Sequence, residues 1–90
     1  MSFEWDNDKN IINLIKHNLS FFEAQDVFYD PNRIILKDTQ HSLHEKRFFC
    51  IGKTSSGNIA TVRFTLRNDN IRIIGAGYWR KGKNIYEQNN

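Results

Sequence analysis

Residues 60–67 constrain the fold more than any other stretch: Ala60, Val62, Phe64 and Leu66 alternate with Thr61, Arg63, Thr65 and Arg67. A period of two places every apolar group on one face and every polar group on the other, which makes this segment a β-strand with one face toward a core. Its neighbours read differently. Residues 46–53 and 71–77 are apolar at both parities, Phe48 and Cys50 against Phe49 and Ile51, and Ile73 against Ile74, as in central strands covered on both sides. Thr54-Ser55-Ser56-Gly57-Asn58 and Arg67-Asn68-Asp69-Asn70 supply turns, and Ile34-Ile35-Leu36 adds a short strand.

Upstream the period changes. Phe3 and Trp5 suit a short N-terminal strand that ends where Asp6 or Asn7 can cap a helix, and Ile11, Ile12, Leu14 and Ile15 then give that helix an apolar face. Asn18 is placed to stop it in a left-handed conformation. Ser20-Phe21-Phe22-Glu23 has capping-box spacing and predicts a second helix through Ala24, Val27 and Phe28. It must end before Asp30-Pro31, because the residue preceding proline is pushed out of helical dihedrals. The expected architecture is α+β: a small antiparallel sheet packed with two N-terminal helices, with room for a short C-terminal helix. Ninety residues supply one core, so residues 1–90 are read as a single domain. Two short helices leave part of a four-stranded sheet open to a protein partner or to Trp79, Ile85 and Tyr86 in the tail.

The chain carries a strong charge asymmetry. Residues 1–45 hold four basic and eight acidic side chains, net −4, whereas residues 46–90 hold nine basic and two acidic, net +7. A polyanion is the partner such a half suits, unless the acidic half simply neutralises it. No apolar run approaches bilayer length and the N-terminus has no basic patch before an apolar stretch, so a cytoplasmic protein without membrane contact is expected. Cys50, the one cysteine, excludes an internal disulfide and reads as a core thiol. His17, His41 and His44 have no metal-site spacing, and Gly75-Ala76-Gly77 is no phosphate loop, so neither metal nor cofactor is expected.

Cleavage of RNA by its own 2′-hydroxyl fits these residues, since it needs a proton acceptor, cations for the crowded phosphate and a donor for the leaving oxygen. Arginine suits the middle role because its planar fork grips two phosphate oxygens and stays charged. Arg47, Arg72 and Arg80 are the candidate cations, and His17 or Glu45 the proton carriers. Arg47 is equally placed to pair with Glu45, and His17 to serve as a favourable charge at a helix end. Arg72, at the parity of Ile74 and Ala76, is either a half-buried structural cation or an active-site one, while Arg63 and Arg67 read as a solvated face. Lys16, Lys81 and Lys83 are candidate phosphate contacts. Trp79 and Tyr86 are candidate base-stacking rings. His41 and His44 lie in a loop that either lines a cleft or is exposed.

Taken in order, these pieces resemble the BrnT family of bacterial type II toxin-antitoxin toxins. The resemblance is carried by Phe3-Glu4-Trp5-Asp6 with Lys9 and Asn13, by Lys16-His17-Asn18-Leu19-Ser20-Phe21 with Glu23-Ala24 and Val27-Phe28, and by Asp30-Pro31. Glu45-Lys46-Arg47-Phe48 with Gly52, Thr65 with Arg67, Ile71-Arg72-Ile73-Ile74 and Tyr86 continue it. It implies a RelE-like fold, metal-independent RNA cleavage that stops translation and growth, and a BrnA-like antitoxin with a ribbon-helix-helix domain through which the pair binds operator DNA. It also directs attention to Lys16, His17, Arg47 and Arg72, which stand at family motif positions. Asn18 replaces the family's glycine. The family's Ser-Ala-Arg reads Gly75-Ala76-Gly77, so an arginine is missing there. Either Arg80 or Lys81 replaces it, or the chain is a weakened or inactive homologue that serves as an antitoxin-binding or RNA-binding partner.

Overall fold

The computed structural model describes residues Met1–Asn90. Strand β1 (Phe3–Trp5) leads into helix α1 (Asn7–His17) and the short helix α2 (Phe21–Ala24), which tightens into a 3₁₀ turn at Gln25–Tyr29. Strands β2 (Ile34–Lys37), β3 (Arg47–Lys53), β4 (Ile59–Arg67) and β5 (Asn70–Gly77) follow, with a 3₁₀ turn at Thr39–His41, and helix α3 (Arg80–Gln88) closes the chain.

Local signals are realised as expected at the element ends. Asp6 caps α1 by accepting from the amides of Asp8 and Lys9, and Asn18 stops it at φ 53°. The Ser20 hydroxyl accepts from the Glu23 amide at 3.0 Å. Glu23 does not reach back, however; it accepts from Ser56 instead. Asn68 and Asp69 both adopt positive φ, the geometry of a tight hairpin turn matched to strand twist.

Three expectations are corrected. The sheet has five strands in the order β1-β5-β4-β3-β2, and it is mixed, because β1 joins the edge parallel to β5. The three residues of β1 dock on Ile71–Ile73 from the far end of the chain, a pairing that no local turn signal specifies. Second, the apolar residues of α1 do not face the core: Ile12 is 52% and Ile15 79% exposed. Asn13 is the buried residue of that helix, donating to the Leu19 carbonyl at 2.9 Å and accepting from the Ala76 amide at 3.2 Å. Two backbone groups without other partners thus orient α1. Third, the β4–β5 register shifts so that Ile74 has no partner between Ile73 and Gly75. This bulge reverses parity, and Arg72 and Ala76 lie on opposite faces.

The core lies between the sheet and the segment from Leu19 to Phe28, which contributes Leu19, Phe21, Ala24, Val27 and Phe28. Cys50, Val62, Phe64, Ile73 and Ala76 meet them from the strands. Burial pushes the Cys50 thiol up to about 12. On the opposite face α3 packs against β3 and β4. Gly82 permits the approach, since a Cβ there would run into the Thr61 hydroxyl. Helix α3 covers only one end, and the remainder of that face is the open surface. No helix is long and apolar enough to cross a membrane.

Candidate functional site

The open face is built by strand register. Paired residues in an antiparallel ladder share a face, so the cross-strand row Leu36–Phe49–Arg63–Gly75 lies on it. The row Arg47–Thr65–Arg72–Glu4 lies beside it. Arg67 follows at the same parity as Arg63 and Thr65. Four arginines therefore gather on one surface, with Arg47 and Arg72 on either side of Thr65, about 10 Å apart across two strand spacings. Thr61 and Thr65 are buried, so this face is not the uniformly solvated one that alternation suggested.

The arginines differ in their partners. Arg72 donates to Glu4 at 2.7 Å, and the two are direct cross-strand neighbours. Its hydrogen bond, helped by that from Asn70, holds the Glu4 carboxyl below the usual range. The pair ties the parallel edge strand to β5, a structural role. Arg47 and Arg67 share Glu45 at 3.5 and 3.4 Å. These contacts are long and partly exposed, and they hold the guanidinium groups weakly. Glu45 is thereby the counter-ion of two arginines.

Arg63 has no carboxylate. Its side chain lies over Gly75, where a Cβ would come within 3.1 Å of Nη2, and its buried Nε has no hydrogen-bond partner. Sequence reading assigned it to a solvated surface; the only available signal was Gly75, a missing side chain opposite an arginine. Trp79 fills the corresponding space over Gly77, with ring atoms 2.8–2.9 Å from where a Cβ would stand. Position 77 is therefore roofed by indole.

Beside Arg63 opens a cleft of about 710 Å³, between the end of β2 with its following turn and the start of α3. Phe49, Leu36, Trp79 and Ile85 give it apolar walls, and Arg63, Lys37, Lys81 and His41 bring nitrogen donors. Asp38 stands two residues beyond Leu36 and is 4% exposed, and its Oδ2 lies 2.9 Å from His41 Nδ1. The Ser42 hydroxyl closes this turn, donating to the Asp38 carbonyl at 2.5 Å and accepting from the Arg47 amide at 3.0 Å.

The other residues singled out from sequence fall as follows. Trp79 and Lys81 line the cleft. Arg80 and Lys83 are exposed on α3 and line no part of it. His17 packs edge-on against Trp79 with centroids 5.4 Å apart, a support for that ring, and Lys16 is exposed beside it at the end of α1. Tyr86 is a correction: it is 4% exposed, and its hydroxyl donates to Asp30 at 2.6 Å, so its ring is unavailable for stacking on a base. His44 is exposed outside the cleft. Nowhere do three or more His, Cys, Asp or Glu side chains group so as to hold a metal ion.

Compared with known families, residues 5–82 match the ribonuclease toxin, BrnT, of type II toxin-antitoxin systems. Among solved structures, the crystal structure of the Brucella abortus ribonuclease toxin BrnT is similar, with 21% identity and a TM-score of 0.67 over 88% of this chain and 96% of that one. At that identity the likeness concerns the fold. No curated protein matches the chain.

Proposed function

Since the chain belongs to the BrnT family of ribonuclease toxins of type II toxin-antitoxin systems, we propose that it is an RNA endonuclease that lays its substrate across the arginine-bearing face of the sheet. The observation that carries this reading is the gathering of Arg47, Arg63 and Arg67 on one accessible face beside a cleft with apolar walls. Phosphate oxygens can displace the long Glu45 contacts of Arg47 and Arg67, because a bidentate charge-assisted pair is stronger than a contact at 3.5 Å. Phe49 and Trp79 offer π-faces to an unstacked base.

Cleavage on this reading is RelE-like and metal-independent: the 2′-hydroxyl attacks its own phosphate, and cations stabilise the charge that builds up. The RNA cut would be one that translation needs, so growth stops in the cytoplasm until a BrnA-like antitoxin with a ribbon-helix-helix domain covers the toxin and carries the pair to operator DNA. Purified protein incubated with total RNA in chelator yields fragments. Expressed without antitoxin, it arrests amino-acid incorporation. Intact RNA with a folded sample overturns the proposal.

A second reading is favoured by one observation, the Trp79 ring roofing Gly77, where the family's arginine is expected. On it the chain keeps affinity for antitoxin and RNA without cleaving. Unharmed growth on induction, with the toxin-antitoxin pair still binding operator DNA, would decide for it.

A further inference from the structure

We propose that His41, oriented by Asp38, takes the proton from the attacking 2′-hydroxyl, and that Arg63 supplies the phosphate-binding cation. This rests on the nuclease reading above and moves its chemistry from Glu45 and His17 to the cleft.

Four observations converge there. A carboxylate only accepts, so the 2.9 Å contact between Asp38 Oδ2 and His41 Nδ1 means that Nδ1 carries the hydrogen and Nε2 is the basic nitrogen. Asp38 is buried while the His41 side chain that it holds is half exposed and lines the cleft. The Ser42 bonds to Asp38 and Arg47 hold the turn in shape. Finally, Arg63 is the one sheet-face arginine without a carboxylate, and it lines the cleft, where its guanidinium can take a phosphate oxygen; its buried Nε, like that of Arg47, has no acceptor. Asp38 touches the ring, and the other charged groups that line the same cleft are Lys37 of β2, Arg63 of β4 and Lys81 of α3.

The step balances without a redox partner. The 2′-O–H bond breaks, its proton passes to His41 Nε2, and the 2′-oxygen bonds to phosphorus while Arg63 holds the non-bridging oxygens. The bond from phosphorus to the 5′-oxygen breaks, and that oxygen takes a proton from the Lys81 ammonium. The products are a 2′,3′-cyclic phosphate and a 5′-hydroxyl end, after which His41 and Lys81 exchange protons with water.

The experiment is cleavage of an end-labelled RNA transcript by the full chain, with circular dichroism to verify folding. His41→Ala is expected to lower kcat by about 10²- to 10⁴-fold, the usual contribution of a general base, and to abolish the acid limb of the pH–rate profile. Asp38→Asn, an isosteric change at a positioning residue, lowers kcat less and distorts the same limb. Arg63→Ala raises KM and lowers kcat, with Arg63→Lys between it and wild type. A transcript with 2′-deoxyribose at the cut site resists cleavage, and exposed His44→Ala cuts like wild type. Wild-type cleavage retained in a folded His41→Ala, or lost equally in His44→Ala, overturns this assignment and leaves the nuclease reading standing. A folded wild type that leaves RNA intact removes both.

Discussion

Replacing Tyr86 by Phe removes one hydroxyl and leaves the packing of the ring unchanged. That hydroxyl donates to Asp30 Oδ2 at 2.6 Å, the same oxygen accepts from the Lys53 amide at 2.7 Å, and Oδ1 accepts from the Asn32 amide at 2.8 Å. One carboxylate thus joins α3, the turn after Pro31 and the end of β3. A hydrogen bond to a charged group contributes about 1.5–3 kcal/mol. Asp30 is only half-buried, so water replaces part of the loss and the lower end applies, about 1.5–2 kcal/mol. For a domain of this size that is a fall of roughly 6–16 °C in melting temperature. The pH dependence follows from the carboxyl. Burial is the largest single influence on Asp30 and pushes its pKa up, but the bonds from Tyr86, Lys53 and Asn32 together bring it below its usual 3.8. A depressed folded value means that the stabilisation is complete above the unfolded pKa and is lost as pH falls through the folded one. Thermal melts followed by circular dichroism at pH 7 and well below pH 3.8 should therefore show a wide gap between wild type and variant that narrows in acid. Equal melting at pH 7, or a gap of constant width, would refute the account.

Asn13→Ala strands the Leu19 carbonyl and the Ala76 amide; at about 1–3 kcal/mol per buried unpartnered group, a marked drop in the urea midpoint is expected, and an unmoved midpoint would contradict the anchoring role. Gly77→Arg must expel Trp79 from 2.8 Å away and break its contact with His17. It should cost about 1–3 kcal/mol and shift tryptophan emission to the red; unaltered emission and stability would show the space to be free. The Cys50 thiol, pushed up to about 12 by burial, should resist alkylation at pH 8 in the native state and react at the rate of unfolding, so fast stoichiometric labelling of folded protein would count against the packing described.

Elements whose determinants lie within a few residues were legible in the sequence. The alternation at 60–67, the two positive-φ residues of the Asn68-Asp69 turn, the Asp6 and Ser20 caps and the stop at Asp30-Pro31 each express a local dihedral or hydrogen-bond preference. The charge of each half was legible too, because charge adds up whatever the fold, but not that Glu4 of the acidic half would pair with Arg72, or Glu45 with Arg67 as well as Arg47. The site was only partly so. Arg47, Trp79 and Lys81 were chosen for residue type and stand on or beside the cleft face, whereas Arg72, Tyr86 and His17 were chosen on the same grounds and are engaged by Glu4, Asp30 and Trp79.

Sequence by itself determined the strands, the turns, the cap residues and the sign of the charge in each half, since those follow from side-chain chemistry and neighbours along the chain. Tertiary structure alone decided that β1 runs parallel to β5, that Ile74 bulges and reverses parity, that α1 turns its isoleucines outward, and that Arg63, without a carboxylate partner, lines the same cleft as the Asp38–His41 pair. Each of those depends on groups far apart in sequence meeting across the sheet, where a one-residue change of register carries a side chain from one face to the other.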